Sequence, residues 1–176
     1  MAVGDEAAFG TLFDRHSRAV YNHAFRLCGS WSVAEDVTQA TFLTMWRKRG
    51  TAQLTHATAL PWLLVVAGNH VRTEWRSARR LQALLGRIPG GHDPDPADDV
   101  AGRVDDERTM RRVLAAARRL PRAEREAFAL CVWSGVSYPQ AAAVLGVTEA
   151  AIRSRVSRAR ARLTTMPGLT LAEESR

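Results

Sequence analysis

Hydrophobic residues recur every three or four positions through most of the chain, and no stretch alternates strictly between hydrophobic and polar residues. The first spacing gathers hydrophobic side chains on one side of an α-helix, whereas strict alternation would indicate a β-strand. The pattern therefore predicts an all-α protein. The first predicted helix ends near Gly29 and is marked by Phe9, Leu12, Phe13, His16, Val20, Ala24 and Leu27.

Two further helices are predicted in the first half of the chain. Ser32 is the expected N-cap of the second helix, because Glu35 follows at the spacing of a capping box, and the helix runs to about Lys48. The third helix begins near Pro61, since proline is tolerated in a first helical turn, and continues to about Arg80. These three helices predict a small bundle.

One central segment breaks the helical pattern. From Pro89 to about Asp106 the chain has three prolines, three glycines and six aspartates, which favours a flexible linker over a packed element. His92 lies among these aspartates, but acidic linkers are much more common than metal-binding loops of this composition. We therefore predict no metal site.

The region after the linker is predicted to contain a helix-turn-helix. Helices are expected over residues 107–119 and 121–133, and Ser137-Tyr138-Pro139-Gln140 then has the spacing of a capping box that opens a short helix. Gly146 allows a tight turn, and Thr148 caps a last helix that ends near Leu163. Two helices joined by a short glycine-containing turn are typical of DNA-binding proteins.

The third helix carries a polar stripe opposite its hydrophobic side. The hydrophobic side is predicted to contain Leu60, Leu64, Ala67, Val71, Trp75 and Ala78, and the stripe contains Asn69, Arg72, Arg76 and Arg80. A solvated helix face would be expected to mix charges, yet the one acid between Trp62 and Arg80 is Glu74, which lies off the stripe. The pattern favours contact with phosphates and base edges, with Trp62 placed to stack on an unpaired base.

One face of the second helix mixes polar groups with large hydrophobic side chains. Its members are Glu35, Asp36, Gln39, Phe42, Leu43 and Trp46. Such a face can dock on a protein partner, because aromatic groups supply buried area and polar groups fix the register. An equally good interpretation is that Phe42, Leu43 and Trp46 fill the core of the bundle.

The last helix has arginines on both sides of a face of small residues. Its inward stripe is predicted to contain Ile152, Val156, Ala159 and Leu163, and the opposite face contains Ala150, Ser154, Ser157 and Ala161. No acid follows Glu149 within the helix, so we expect five unpaired arginines: Arg153, Arg155, Arg158, Arg160 and Arg162. Small residues let a helix approach the floor of a DNA groove while arginines reach phosphates or guanine edges.

Composition and charge narrow the function further. The 176 residues are 46% hydrophobic, too many for a disordered chain, and the longest apolar run, residues 59–68, is too short to span a membrane. No secretion signal or disulfide framework is evident, which predicts a cytoplasmic protein. Residues 1–88 have 11 basic and six acidic groups, and residues 108–176 have 13 basic and five acidic groups. Between them, residues 89–107 have one basic and seven acidic groups. Two basic halves suggest two contacts with nucleic acid.

Enzyme and cofactor motifs are not found in the sequence. The five histidines show no metal-ligand spacing with Cys28 or Cys131. A glycine-rich phosphate loop and a nucleophile elbow are also missing from the sequence. We therefore predict a protein that binds partners and performs no catalysis.

The two halves together resemble bacterial RNA polymerase sigma factors of the extracytoplasmic-function (ECF) type, in the sigma-70 family. The family's polymerase-binding helix is matched by Ala34-Glu35-Asp36-Val37-Thr38-Gln39, and its −10 promoter helix by Trp62-Leu63, Ala67, Asn69 and Arg76. Its −35 helix-turn-helix is matched by Leu120-Pro121, Glu124-Arg125, Ser137-Tyr138, Leu145-Gly146-Val147 and residues 155–163.

The resemblance implies a domain arrangement and a role for each site. It implies a region 2-like bundle (1–85), an acidic linker (86–106), a region 4-like helix-turn-helix domain (107–165) and a short tail (166–176). Binding of core RNA polymerase is implied for Glu35, Asp36, Gln39, Phe42 and Trp46. Recognition and melting of the −10 element is implied for Trp62, Asn69, Arg72, Arg76 and Arg80. Recognition of the −35 element is implied for Arg153, Ser154, Arg155, Ser157 and Arg158.

The implied partners are core RNA polymerase and promoter DNA, with no membrane insertion. An anti-sigma factor is a common further partner in the family, and the sequence identifies none. The main alternative is a stand-alone helix-turn-helix regulator that binds duplex DNA without polymerase. A second alternative is an adaptor that binds polymerase without opening promoters.

Overall fold

The computed structural model describes residues 6–50, 58–85 and 113–165. The regular structure within these ranges is helical, which confirms the predicted fold class. The helices are α1 (Glu6–Cys28), α2 (Trp31–Arg47), α3 (Leu60–Leu85), α4 (residues 113–119), α5 (Arg122–Phe128), α6 (Tyr138–Leu145) and α7 (Glu149–Thr164). They form two compact units, one containing α1, α2 and α3 from Trp62 onward, the other containing α4 to α7. The predicted linker and the predicted tail lie outside the described residues.

The N-cap of α2 is Ser30, so the prediction of Ser32 is wrong by two residues. The Ser30 hydroxyl oxygen accepts a hydrogen bond from the Val33 N–H at 3.4 Å. Gly29 has a φ of +68°, a conformation that glycine adopts readily, and it turns the chain out of α1 directly into this cap. Ser32 therefore lies inside the first turn of the helix, where it cannot act as the cap.

All three helices contribute to the core of the first unit. Nine of its described hydrophobic side chains are at most 1% exposed: Val20, Ala24, Ala34, Val37, Met45, Leu63, Leu64, Ala67 and Val71. Helix α1 packs along α2. Helix α3 extends beyond the predicted end at Arg80 to Leu85, and this last part exposes Leu81 and Leu84. The core therefore holds the first half of α3 and leaves its second half as a solvent-facing arm.

The core of the second unit forms between α7 and the helices that precede it. Its central cluster consists of Ala116, Leu120, Phe128, Ala159 and Leu163, with Trp133 packed against it. The predicted inward stripe of α7 is confirmed, because all four of its members are at most 1% exposed. Helix α5 continues as a π-helical turn, Ala129–Trp133, so the segment predicted as one α-helix changes its hydrogen-bond pattern before it ends.

The turn between α6 and α7 forms as the sequence predicts. The Gln140 N–H donates to the Ser137 hydroxyl oxygen at 3.4 Å, and the Ser137 N–H donates to Gln140 Oε1 at 3.3 Å, which completes a capping box. Gly146 ends α6 with a φ of +64°, and the Thr148 hydroxyl oxygen accepts from the Ala151 N–H at 3.2 Å. These local bonds fix the direction in which α7 leaves the turn.

Candidate nucleic-acid and protein interfaces

The polar stripe of α3 lies on the surface of the first unit. Asn69, Arg76 and Arg80 are exposed, and Arg72 is half-buried. The stripe is linked along its length, because Arg72 Nη2 donates to Asn69 Oδ1 and Arg76 Nε donates to the Arg72 carbonyl oxygen at 3.4 Å. The Asn69 amide oxygen accepts this bond, and its NH₂ group can donate hydrogen bonds to a ligand.

Trp62 lines up with this stripe along the helix axis. Trp62, Asn69 and Arg76 are spaced by seven residues, or almost two full turns, so neighbours in this row are about 10 Å apart along one line of α3. Trp62 is half-buried, which leaves part of its ring accessible. The row presents an aromatic surface, an amide donor and a guanidinium group in that order.

A hydrogen bond between α2 and α3 fixes this row against the bundle. His70 Nε2 lies 3.0 Å from the Thr44 hydroxyl oxygen. The Thr44 hydroxyl donates its one proton to the Ala40 carbonyl oxygen at 2.8 Å, so His70 Nε2 must carry the proton of their mutual bond. Burial lowers the pKa of His70 and so favours the neutral ring, in which the tautomer with the proton on Nε2 makes this bond.

The residues on the mixed face of α2 differ in their burial, so the two interpretations of this face apply to different residues. Phe42 is 3% exposed and packs edge-on against Phe13, with ring centroids 4.7 Å apart, so its predicted contact with polymerase is replaced by a place in the core. Trp46 is half-buried against Phe9 at 5.0 Å. The sequence could not show this, because the aromatic residues that cover Phe42 come from α1.

The exposed part of α2 forms a narrower surface, which we call the docking face: Glu35, Asp36, Gln39 and Leu43. The three polar members are exposed as predicted, and Leu43 is 54% exposed. Asp36 and Gln39 have no hydrogen-bond partner within the described residues. Leu43 is not among the predicted polymerase-binding residues, and its helical spacing from Gln39 and Asp36 places it beside them.

The small-residue face of α7 is exposed, as the sequence predicts. Ala150, Ser154, Ser157 and Ala161 all face solvent. Arg153 lies on one flank of this face, where Glu149 holds it at 2.7 Å and the Tyr138 ring lies 5.4 Å from its guanidinium carbon. Arginines therefore border a face on which the helix backbone can approach a groove closely.

Three of the five arginines of α7 have acidic partners, so the prediction that all five are unpaired is wrong. Arg153 pairs with Glu149, while Arg158 and Arg162 both pair with Glu124 of α5. The guanidinium groups of Arg155 and Arg160 have no polar partner in the part of the chain that the structure describes. Glu124 precedes Arg158 by 34 residues, so helical periodicity could not reveal the pairing.

Sites of other kinds are not found in the described ranges. No group of three or more histidine, cysteine, aspartate or glutamate side chains there could hold a metal ion, and His92 lies outside those ranges. None of the described helices combines the length and apolar character needed to cross a bilayer.

The fold and the exposed surfaces are those of a helix-turn-helix protein with a second helical domain. Two family models match it: sigma-70 region 2 over residues 12–81 and sigma-70 region 4 over residues 110–163. The chain is 32% identical over 168 residues to the RNA polymerase sigma factor NccH of Alcaligenes xylosoxydans xylosoxydans, covering 94% of this chain and 89% of that protein.

Two further relatives agree with this match. The ECF RNA polymerase sigma factor BldN of Streptomyces coelicolor is 32% identical over 160 residues, covering 89% of this chain and 59% of that protein. The solved structure of the sigma factor RpoE in complex with the anti-sigma factor NepR from Bartonella quintana has a TM-score of 0.63 at 27% identity, covering 88% of this chain and 93% of that one. The chain therefore belongs to the sigma-70 family of RNA polymerase sigma factors, in its ECF group.

Membership in this family settles the choice among the functions that the sequence left open. The protein is a transcription initiation factor that works with core RNA polymerase and promoter DNA. The stand-alone regulator and the adaptor are set aside, because both halves of the chain match sigma-factor regions in the family order.

Proposed function

We propose that each surface described above performs one step of promoter recognition. The docking face of α2 binds core RNA polymerase, the stripe of α3 binds the −10 element, and α7 enters the major groove of the −35 element. The observation that carries the proposal is α7 itself, where an exposed face of small residues is bordered by arginines on both sides. In this proposal the polymerase performs the nucleotide chemistry and the chain supplies recognition in the cytoplasm.

At the −35 element, the proposed contacts divide into base readers and phosphate binders. Ser154 and Ser157 lie on the exposed face, and Arg153 stands beside them, held by Glu149. Arginine can recognise a guanine through two parallel hydrogen bonds, and Arg153 is placed to do so. Arg155 has no partner among the described residues, which suits contact with a phosphate, and Arg158 reaches the same face through Ser154 at 2.7 Å.

At the −10 element, the row on α3 suits a strand whose bases are unpaired. Trp62 supplies a ring on which a base can stack, and the Asn69 amide supplies hydrogen bonds to a base edge. Arg72, Arg76 and Arg80 lie further along the stripe, where they hold the sugar-phosphate backbone. Capture of unpaired bases by this row stabilises the opened promoter.

The contact with polymerase depends on the docking face. Asp36 and Gln39 offer polar groups with no partner in the described ranges, and Leu43 supplies apolar area beside them. Glu35 extends the acidic side of this face, and Trp46 borders it as a half-buried support.

Co-elution with core RNA polymerase on gel filtration tests the docking face. The wild-type chain is expected to co-elute stoichiometrically, and the Asp36→Ala/Gln39→Ala variant is expected to elute alone. Asp14→Ala is the matched control, because Asp14 is an exposed acid on α1 outside this face. Co-elution of the double variant at the wild-type level would contradict the assignment of the docking face. Absence of co-elution for the wild-type chain would contradict polymerase binding itself.

Regulation by an anti-sigma factor is a further part of the proposal. It is supported by the similarity to RpoE, which was solved in complex with the anti-sigma factor NepR. Such a partner is expected to compete with polymerase for the chain, so its addition to the co-elution experiment should release the chain from the polymerase.

A further inference from the structure

Glu124 is a buried carboxylate that joins α5 to the DNA-facing helix α7. The residue is 6% exposed. Its Oε1 atom accepts a hydrogen bond from Arg158 Nε at 3.1 Å, and its Oε2 atom lies 3.0 Å from Arg162 Nε. Both arginine side chains are 55% exposed, so each keeps part of its surface accessible to solvent.

The contacts of Glu124 continue onto the small-residue face of α7. Arg158 Nη1 donates to the Ser154 hydroxyl oxygen at 2.7 Å. A chain of polar contacts therefore runs from the buried carboxylate through Arg158 to a serine at the centre of the exposed face. The rotamer of Arg158, and with it the Ser154 hydroxyl, is set by a residue that lies on another helix.

The burial of Glu124 makes this pairing different from the other ion pair of α7. Glu149 has a side chain 45% exposed, so Arg153 can leave it for DNA at little cost. A buried carboxylate left without partners is strongly unfavourable, so Arg158 and Arg162 cannot both leave Glu124. One negative charge thus offsets part of the positive charge that this flank of α7 presents.

We propose that Glu124 is a positioning residue that determines sequence specificity. It holds Arg158 and Arg162 in place for the −35 duplex. Its negative charge also weakens the attraction between this flank of α7 and DNA phosphates, which does not depend on the DNA sequence. The inference rests on the proposed −35 role of α7 and adds a buried determinant that does not itself touch DNA. Loss of the carboxylate should therefore strengthen non-specific binding while it weakens discrimination between bases.

The salt dependence of binding to a random-sequence duplex tests the charge part of the proposal on the full chain. Glu124→Gln is compared with Glu126→Gln, which removes the same charge from the same helix, where Glu126 pairs with Arg122. Each guanidinium that gains a phosphate should steepen the slope of log K against log salt by about 0.9. We expect the salt slope of Glu124→Gln to be steeper than that of Glu126→Gln by about 0.9 to 1.8. Equal slopes for the two variants would overturn the proposal.

Selection of −35 sequences from a random duplex library tests the positioning part, with the chain assembled on core polymerase. Glu124→Gln is expected to flatten the base preference of the wild-type chain by roughly tenfold at the bases read through Ser154 and Arg158. If Glu124→Gln does not fold, Glu124→Asp replaces it, because it keeps the charge but shortens the side chain by one methylene. A wild-type base preference in the folded variant would overturn the proposal.

The Arg155→Gln/Arg160→Gln variant separates failure of this inference from failure of the −35 assignment. It removes the two arginines of α7 that have no partner in the described residues. An unchanged salt slope in this variant would show that α7 does not lie on DNA, and the proposed function would fail with the inference. A reduced slope, together with equal slopes for the two glutamate variants, would reject the role of Glu124 alone.

Discussion

Neighbouring residues Phe42 and Leu43 of α2 allow core packing and polymerase binding to be measured separately. Phe42 is 3% exposed, with ring centroids 4.7 Å from Phe13 and 6.3 Å from Phe9. Leu43 is 54% exposed and belongs to the docking face. Phe42→Ala should therefore lower the stability of the first unit, while Leu43→Ala should lower the affinity for polymerase.

The structure sets the size of both effects. Truncation of a buried phenylalanine costs about 3–5 kcal/mol, and the two edge-to-face contacts place Phe42→Ala in the upper part of this range. This loss is a large fraction of the roughly 5–15 kcal/mol by which a domain is stable. Leu43→Ala should change the free energy of unfolding by less than about 0.5 kcal/mol, because the side chain is mostly in solvent. Its loss from an interface should weaken polymerase binding roughly fivefold or more.

Urea unfolding followed by tryptophan fluorescence measures the stability, since Trp46 packs against Phe9 in the same cluster. Polymerase affinity is measured at a temperature where both variants are folded. Leu81→Ala serves as the control, because Leu81 is 56% exposed and lies on α3 away from the docking face. A Phe42→Ala variant with near wild-type stability and no polymerase binding would refute the placement of Phe42 in the core.

Three further predictions concern stability. The buried His23 has a pKa lowered by desolvation to about 4, so the folded state binds fewer protons than the unfolded state below pH 6.5. A change from pH 7 to pH 5 should cost about 2 kcal/mol in the free energy of unfolding, and His23→Gln should remove most of that dependence. Gly146→Ala should lower the free energy of unfolding, measured by thermal unfolding, by about 1–2 kcal/mol because Gly146 has a positive φ. Gly10→Ala within α1 should raise it by about 0.5–1 kcal/mol. Ser137→Ala should cost about 0.5–2 kcal/mol in the same assay through loss of the capping box, and an unchanged melting temperature would contradict it.

Local signals in the sequence predicted the helices and the helix-turn-helix well. The capping box of Ser137 and Gln140, the turn at Gly146 and the cap at Thr148 all form within a few residues, so their chemistry can be recognised without knowledge of the fold. The capping-box spacing between Ser32 and Glu35 predicts a cap at Ser32, although Ser30 stands two residues before it. The left-handed turn at Gly29 decides between them in favour of Ser30.

Contacts between helices could not be predicted in the same way. Helical periodicity shows which residues share a face, but it does not show what lies opposite them. The burial of Phe42 depends on aromatic residues of α1, and the pairing of Arg158 depends on Glu124 of α5. Both corrections therefore concern residues whose roles depend on partners distant in the sequence.

Transcription reconstituted from core RNA polymerase, this chain and genomic DNA fragments tests the central claim most directly, with permanganate used to detect unpaired thymines. We expect transcripts that start at defined sites and depend on the chain, with reactive thymines just upstream of each start. Arg76→Ala should reduce this reactivity while co-elution with polymerase is retained. Transcription that does not depend on the chain, or thymine reactivity unchanged in Arg76→Ala, would contradict the claim.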